Sequence, residues 1–150
     1  MRHLRAYPLH LLKADLNTAK LIIFTDGAAR GNPGPAAIGC VIQDEKGDTV
    51  ARISRCLGAT TNNQAEYRAV IAALEKAVSL GARQVVLYSD SELVVKQING
   101  QYKIKNAGLR PLYSEVVSLI GKLDNFKAAY IPRERNSEAD ALANKALDGT

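Results

Sequence analysis

Hydrophobic and polar residues follow two different periods along this chain, and the change from one to the other marks out its elements. Leu21 to Thr25 is a short apolar, β-branched run that predicts a strand ending at Asp26. A glycine-punctuated loop follows from Gly27 to Gly34, with Asn32, Pro33 and Pro35 in or beside it. Ile38 to Gln43 and Thr49 to Leu57 predict a hairpin that turns near Glu45 to Asp48. Helical spacing then takes over. Ala69, Val70, Ala73, Leu74 and Ala77 predict a helix from about Asn63 to Leu80, stopped by Gly81. Val85 to Tyr88 predicts a strand buried on both faces, followed by Asp90 and a helix from Ser91 to Ile98. Asn99 to Asn106 reads as a turn and a basic loop, and Leu109 to Leu123 as a helix with Pro111 in its first turn. Phe126 to Ile131 reads as a last strand and Asn136 to Leu147 as a last helix. Three meandering strands followed by alternating helices and strands predict an α/β mixed sheet with helices packed on it.

Residues 1 to 20 show no clean period, and neither His3 nor His10 has partners at ligand spacing. They are expected to form a loosely docked arm ahead of a single domain. A chain of 150 residues, 47% hydrophobic, buries one proper core, so the same domain must both bind and act. Cys40 and Cys56 lie on consecutive predicted strands, but residue 40 should pair near 53 and residue 56 near 37, so no disulfide is expected. Two thiols without a secretory segment suit a reducing cytoplasm, and there is no CxxC spacing for a metal. No run approaches the roughly 18 apolar residues that would cross a membrane.

The formal charge is +5, from 20 Lys and Arg against 15 Asp and Glu. If four carboxylates are gathered in one site, the remainder of the molecule carries 20 basic against 11 acidic side chains. A basic body around an acidic spot favours a polyanion as partner. The four are Asp26 and Asp90, which follow strand-like runs, and Glu66 and Asp140, which open helix-like segments. Glu66 stands four residues before Val70 and eight before Leu74, on the stripe that the helix turns toward the sheet. A plainer alternative is capping chemistry: Asn63 with Glu66, and Ser137 with Asp140, both have capping-box spacing, and Asp26 and Asp90 could be turn acids. Together they point elsewhere. Parallel neighbouring strands bring their carboxyl ends side by side, and two helix starts can face the same spot. Four acids converging there would suit Mg²⁺, a hard cation that takes oxygen ligands, and no Cys or His cluster competes for a softer metal.

Four segments carry a resemblance to a known family: IIFTDGAARGNPGPAAIG (22 to 39), TNNQAEY (61 to 67), LYSDSELVVKQING (87 to 100) with YKIKN after it, and IPRERNSEADALAN (131 to 144). In this order and at these separations they resemble type 1 ribonuclease H across about residues 21 to 148. The resemblance implies an RNase H-like fold: a five-stranded mixed sheet, three antiparallel strands then parallel strands, flanked by helices. It implies endonucleolytic cutting of the RNA strand of an RNA/DNA hybrid, leaving 5′-phosphate and 3′-hydroxyl ends. Asp26, Glu66, Asp90 and Asp140 become the catalytic residues and the ligands of two Mg²⁺ ions, with Mn²⁺ a possible substitute. Asp26 would bridge both ions, Asp140 would complete the one that activates water, and Glu66 and Asp90 the one that stabilises the leaving 3′ oxygen. Gly27, Asn32, Thr61, Asn62, Asn63, Arg133 and Arg135 are the implied substrate-binding residues. Asparagine amides both donate and accept, which suits a 2′-hydroxyl and base edges together, and Thr61 matches a position that contacts the DNA phosphate. The glycines at 27, 31 and 34 allow close backbone approach. A monomer and no membrane partner are expected.

The chain departs from the family pattern in three places. Many bacterial members carry a histidine in the loop before the last acid, where this chain has PRERN, so Arg133 or Arg135 is the candidate substitute. The long basic protrusion of one branch is reduced to Lys103 and Lys105 with Lys96 nearby, and Glu92 replaces a frequent glutamine. Two alternatives stay open: a non-catalytic nucleic-acid-binding domain on the same fold, which the intact acid quartet argues against, and broader cleavage that includes double-stranded RNA.

Overall fold

The computed structural model describes residues 19–149. Within them, strands β1 (Lys20–Ala29), β2 (Gly34–Gln43) and β3 (Thr49–Thr60) are followed by helix α1 (Asn62–Ser79), strand β4 (Gln84–Ser89), and helices α2 (Glu92–Ile98) and α3 (Arg110–Ile120). Strand β5 (Asn125–Tyr130), a 3₁₀ turn (Arg133–Arg135) and helix α4 (Ser137–Asp148) complete the described residues. The sheet runs β3-β2-β1-β4-β5, with β1, β2 and β3 antiparallel and β1, β4 and β5 parallel, as the expected five-stranded mixed sheet requires. Among the described residues no helix is long and apolar enough to cross a membrane. The expected N-terminal arm lies outside the described residues except for its last two. Of these, Ala19 accepts backbone hydrogen bonds from Arg83 and Gln84, and Lys20 opens β1.

Alternation in β1 buries Leu21, Ile23 and Thr25 on one face of the sheet. Tyr67, Val70 and Leu74 of α1 pack there with Ile38, Cys40 and Ile42 of β2 and Val85 and Leu87 of β4. Each fully buried side chain of this size contributes about 1.5 to 3 kcal/mol. Leu112 and Val116 of α3 close the same core. The opposite face is covered by α4 through Ala139, Ala143 and Leu147. Helix α4 is also stitched to β3: Ser54 Oγ donates to the Leu142 carbonyl at 2.6 Å, Cys56 Sγ lies 3.0 Å from the Ala146 carbonyl, and Arg52 pairs with Glu138 at 2.8 Å. The cysteines sit as expected, Cys40 opposite Ile53 and Cys56 opposite Ala37, and both are free.

Two expectations are corrected. Strand β1 does not end at Asp26 but continues to Ala29, and β2 begins at Gly34 rather than Ile38, since Gly27, Ala28 and Ala29 pair with Ile38, Ala37 and Ala36, and Gly34 and Pro35 pair with Thr60 and Ala59 of β3. Small residues carry little strand propensity of their own, and here each side of the ladder supplies the other's partner. Helix α1 begins one residue earlier than expected and is capped by Thr61: the Gln64 backbone N–H donates to Thr61 Oγ1 at 3.2 Å, and the Thr61 N–H donates to Gln64 Oε1 at 3.1 Å. Asn63 and Glu66 therefore form no capping box. At α4 the N-cap position is Asn136, with no side-chain cap hydrogen bond, so Ser137 and Asp140 form none either.

Candidate active site

The parallel register of β1 and β4 positions the first two acids. Thr25 lies opposite Ser89, the last residue of β4, so Asp26 is the first β1 residue beyond the end of that neighbour, and Asp90 follows Ser89 directly. Both carboxylates thus emerge at the carboxyl end of one parallel pair, although Asp26 itself lies within its strand.

Two glycines bring in the helix-borne acids. A Cβ on Gly27 would stand 2.3 Å from the Ala65 carbonyl carbon and 2.4 Å from the Glu66 nitrogen, so only glycine lets the start of α1 lie against β1. The Gly27 N–H donates to Glu66 Oε1 at 2.9 Å, a bond beyond the reach of β4. A Cβ on Gly39 would stand 2.1 Å from the Ala139 carbonyl oxygen and 2.6 Å from the Ala143 nitrogen, so α4 rests directly on the β2 backbone. Gly39 pairs with Asp26, and directly opposed residues share a face, so the Asp26 side chain points toward α4, where Asp140 lies within hydrogen-bonding reach of it.

Asp26, Glu66 and Asp90 each offer an oxygen, all within 4.8 Å of one another. Asp140 stands beside this trio rather than within it, held through its contact with Asp26. Burial, the Asp90 charge and the hydrogen bond and charge of Asp140 push the Asp26 carboxyl up to about 8, partly offset by the Arg133 guanidinium. Burial and then the charges of Asp26 and Asp90 hold Glu66 well above its ordinary value, against the pull of the Gly27 N–H and Arg133. Carboxylates this close cannot all ionise without a counter-charge. An all-oxygen donor set with no thiolate or imidazole in the cluster fits a hard divalent cation.

Asp26, Glu66 and Asp90 line a cleft of about 550 Å³ that also takes in Gly27, Asn62, Asn63, Tyr130, Arg133 and Asn144. Asn32 and Asn62 are wired to each other and to β1: the Asn62 N–H donates to Asn32 Oδ1 at 3.0 Å, and the Ala29 N–H donates to Asn62 Oδ1 at 3.0 Å. Thr61 spends its hydroxyl on the helix cap, one residue before Asn62. Arg133 reaches the acids electrostatically, whereas Arg135 lines neighbouring hollows with Phe24, Tyr88 and Tyr130. Glu92 is paired with Lys96 at 2.9 Å, one turn along α2. Sequence reasoning overlooked Gly39, Tyr130, Asn144 and Asn136. The last is buried and donates to both Thr25 and Asp90, and its position four residues before Asp140 was the one available signal.

A family model described as "Reverse transcriptase-like" matches residues 24–146. The chain is 43% identical over 130 residues to the bifunctional protein Rv2228c of Mycobacterium tuberculosis, which covers 86% of this chain and 36% of that protein. It is 45% identical over 125 residues to the ribonuclease HI of Halobacterium salinarum, covering 83% of this chain and 63% of that protein. The crystal structure of RNase H1 from the same archaeon superposes with a TM-score of 0.85 at 43% identity, covering 87% of this chain and 99% of that one. The structure of LC11-RNase H1 in complex with an RNA/DNA hybrid superposes with a TM-score of 0.82 at 45% identity, covering 86% and 97%. The chain therefore spans about a third of the mycobacterial relative and less than two thirds of the halobacterial one.

Proposed function

Because the chain belongs to the type 1 ribonuclease H family, we propose that it is an endoribonuclease that hydrolyses the RNA strand of RNA/DNA hybrids, leaving 5′-phosphate and 3′-hydroxyl ends. The observation that carries this reading is the convergence of Asp26, Glu66 and Asp90 within 4.8 Å, with Asp140 against Asp26, in an open cleft. These four carboxylates would hold two divalent ions, Mg²⁺ by preference and Mn²⁺ as a substitute. When bound, such ions supply an activated water and neutralise charge on the phosphate undergoing in-line displacement. The protein's part is positioning and charge: β1 and β4 fix Asp26 and Asp90, and the helix starts fix Glu66 and Asp140.

Asn62 and Asn63 at the start of α1, with Asn32 locked to Asn62, present amides along one wall of the cleft. They are suited to read 2′-hydroxyls and base edges without regard to sequence. Thr61 and the Gly27 backbone stand beside them. Arg133, whose charge already bears on Asp26 and Glu66, takes the place of the absent loop histidine. Arg135 joins the substrate-contacting set from the neighbouring hollow. Free, unpaired cysteines agree with a reducing cytoplasm, and we assign a monomer. Asp26→Asn should abolish cleavage while hybrid binding persists, and unchanged cleavage would remove the metal assignment. A panel of hybrid, duplex RNA and a DNA duplex with one ribonucleotide, each with Mg²⁺ and Mn²⁺, should show cutting of the hybrid first. Equal cutting of duplex RNA would sink the hybrid selectivity.

A further inference from the structure

Asn136 is 1% exposed, and its Nδ2 donates to the Thr25 carbonyl at 2.8 Å and to Asp90 Oδ2 at 3.2 Å. Both neighbours are acceptors only, so the amide nitrogen must face them and the oxygen must face away. That oxygen, Oδ1, is buried with no hydrogen-bond partner among the described residues. An orphaned buried acceptor is costly and calls for a reason beyond packing. The same side chain sits at the N-cap position of α4 yet makes no cap hydrogen bond, so it forgoes the local role for which asparagine is suited there.

We propose that Asn136 is a positioning residue for Asp90. Its amide fixes one carboxylate oxygen of Asp90 against the last β1 residue before Asp26, so that the remaining oxygen is presented to the cation. The amide also ties the start of α4, and with it Asp140, to the strand pair that carries the other two carboxylates. Loss of the amide would leave Asp90 free to rotate while its burial and the fold around it persist. The inference rests on the metal role assigned to Asp90 above. Groups that orient a metal ligand from behind contribute about 10- to 100-fold in metal affinity.

The test is a calorimetric titration of the substrate-free protein with Mg²⁺, alongside metal-free thermal unfolding and steady-state cleavage. Asn136→Leu keeps the shape and removes both the donor and the orphaned acceptor. It should weaken Mg²⁺ binding about tenfold or more and lower kcat, with KM for the hybrid little changed; the metal-free melting temperature should fall only modestly, since the donor lost to the Thr25 carbonyl is offset by removal of the orphaned Oδ1. In an Asp90→Asn background the same substitution should have no further effect on Mg²⁺ affinity. Should Asn136→Leu fail to fold, Asn136→Ser, too short to reach both partners, carries the same expectation. Unchanged Mg²⁺ affinity with a lowered melting temperature would reduce Asn136 to a structural residue, and an equal loss in both backgrounds would show that it does not act through Asp90. If the parent protein takes up no Mg²⁺ at all, the metal reading fails instead.

Discussion

Asp26 gives the most direct test of the site's electrostatics. The residue is 5% exposed, and its carboxyl stands at about 8 against an ordinary 3.8, raised first by burial and then by Asp90 and Asp140. An acid whose native pKa lies above its unfolded value binds more protons folded than unfolded, so stability falls as pH rises between the two. Each unit is worth about 1.4 kcal/mol. The full shift is therefore on the order of 6 kcal/mol above pH 8, and on the order of 4 kcal/mol is already lost at pH 7. Glu66, also raised, adds in the same direction. Against a typical total of about 5 to 15 kcal/mol, the metal-free protein should be markedly weaker at pH 8 than at pH 5. Asp26→Asn keeps the side chain's shape and removes its charge. Urea unfolding followed by circular dichroism in chelator, from pH 5 to 8.5, should fall steeply for the parent and shallowly for the variant. At pH 8 the variant should be more stable by several kcal/mol. Parallel curves, or a variant weaker than the parent at pH 8, would refute the account of burial and repulsion.

Saturating Mg²⁺ should raise the parent's melting temperature by binding only the folded state, worth about 2.7 kcal/mol at a hundred times its Kd, and a melting curve indifferent to Mg²⁺ would count against the site. Gly39→Ala sets a methyl carbon 2.1 Å from a helix carbonyl that cannot step aside. It should cost about 3 kcal/mol or more and depress cleavage as Asp140 is displaced, as chemical unfolding and a hybrid assay would show. Tyr67→Phe removes the hydroxyl that donates to Gln97 Oε1 at 2.7 Å in the core. A buried acceptor left without its donor costs about 1 to 3 kcal/mol, so stability should drop while cleavage, which does not involve Tyr67, is retained.

Element order was legible because periodicity reports which face is buried, and Glu66 on a buried stripe, out of place for a surface acid, foreshadowed its meeting with Asp26 and Asp90. Strand ends were less legible. Gly27, Ala28, Ala29 and the GPAA run at 34–37 carry no strand signal, and they are strands only through their ladder partners: Gly27, Ala28 and Ala29 face Ile38, Ala37 and Ala36, and Gly34 and Pro35 face Thr60 and Ala59 of β3. The capping alternative at α1 fell because the box is Thr61–Gln64, a pair with the same spacing as Asn63–Glu66, and only packing chooses between them. Asn136 was easily passed over for a related reason: it opens the predicted last helix, whereas its partners are 111 and 46 residues away in the chain. Arg133 and Arg135 could not be told apart, since a 3₁₀ turn points neighbouring side chains in different directions.

The bare-backbone seat that Gly39 provides for α4 has a consequence for how the molecule fails. Helix backbone and the Leu142 Cβ leave that contact little give, so the helix should act as a latch, either home or lifted, and one carboxylate should leave with it while the other three stay put. Gentle heating should therefore silence the enzyme before its sheet melts.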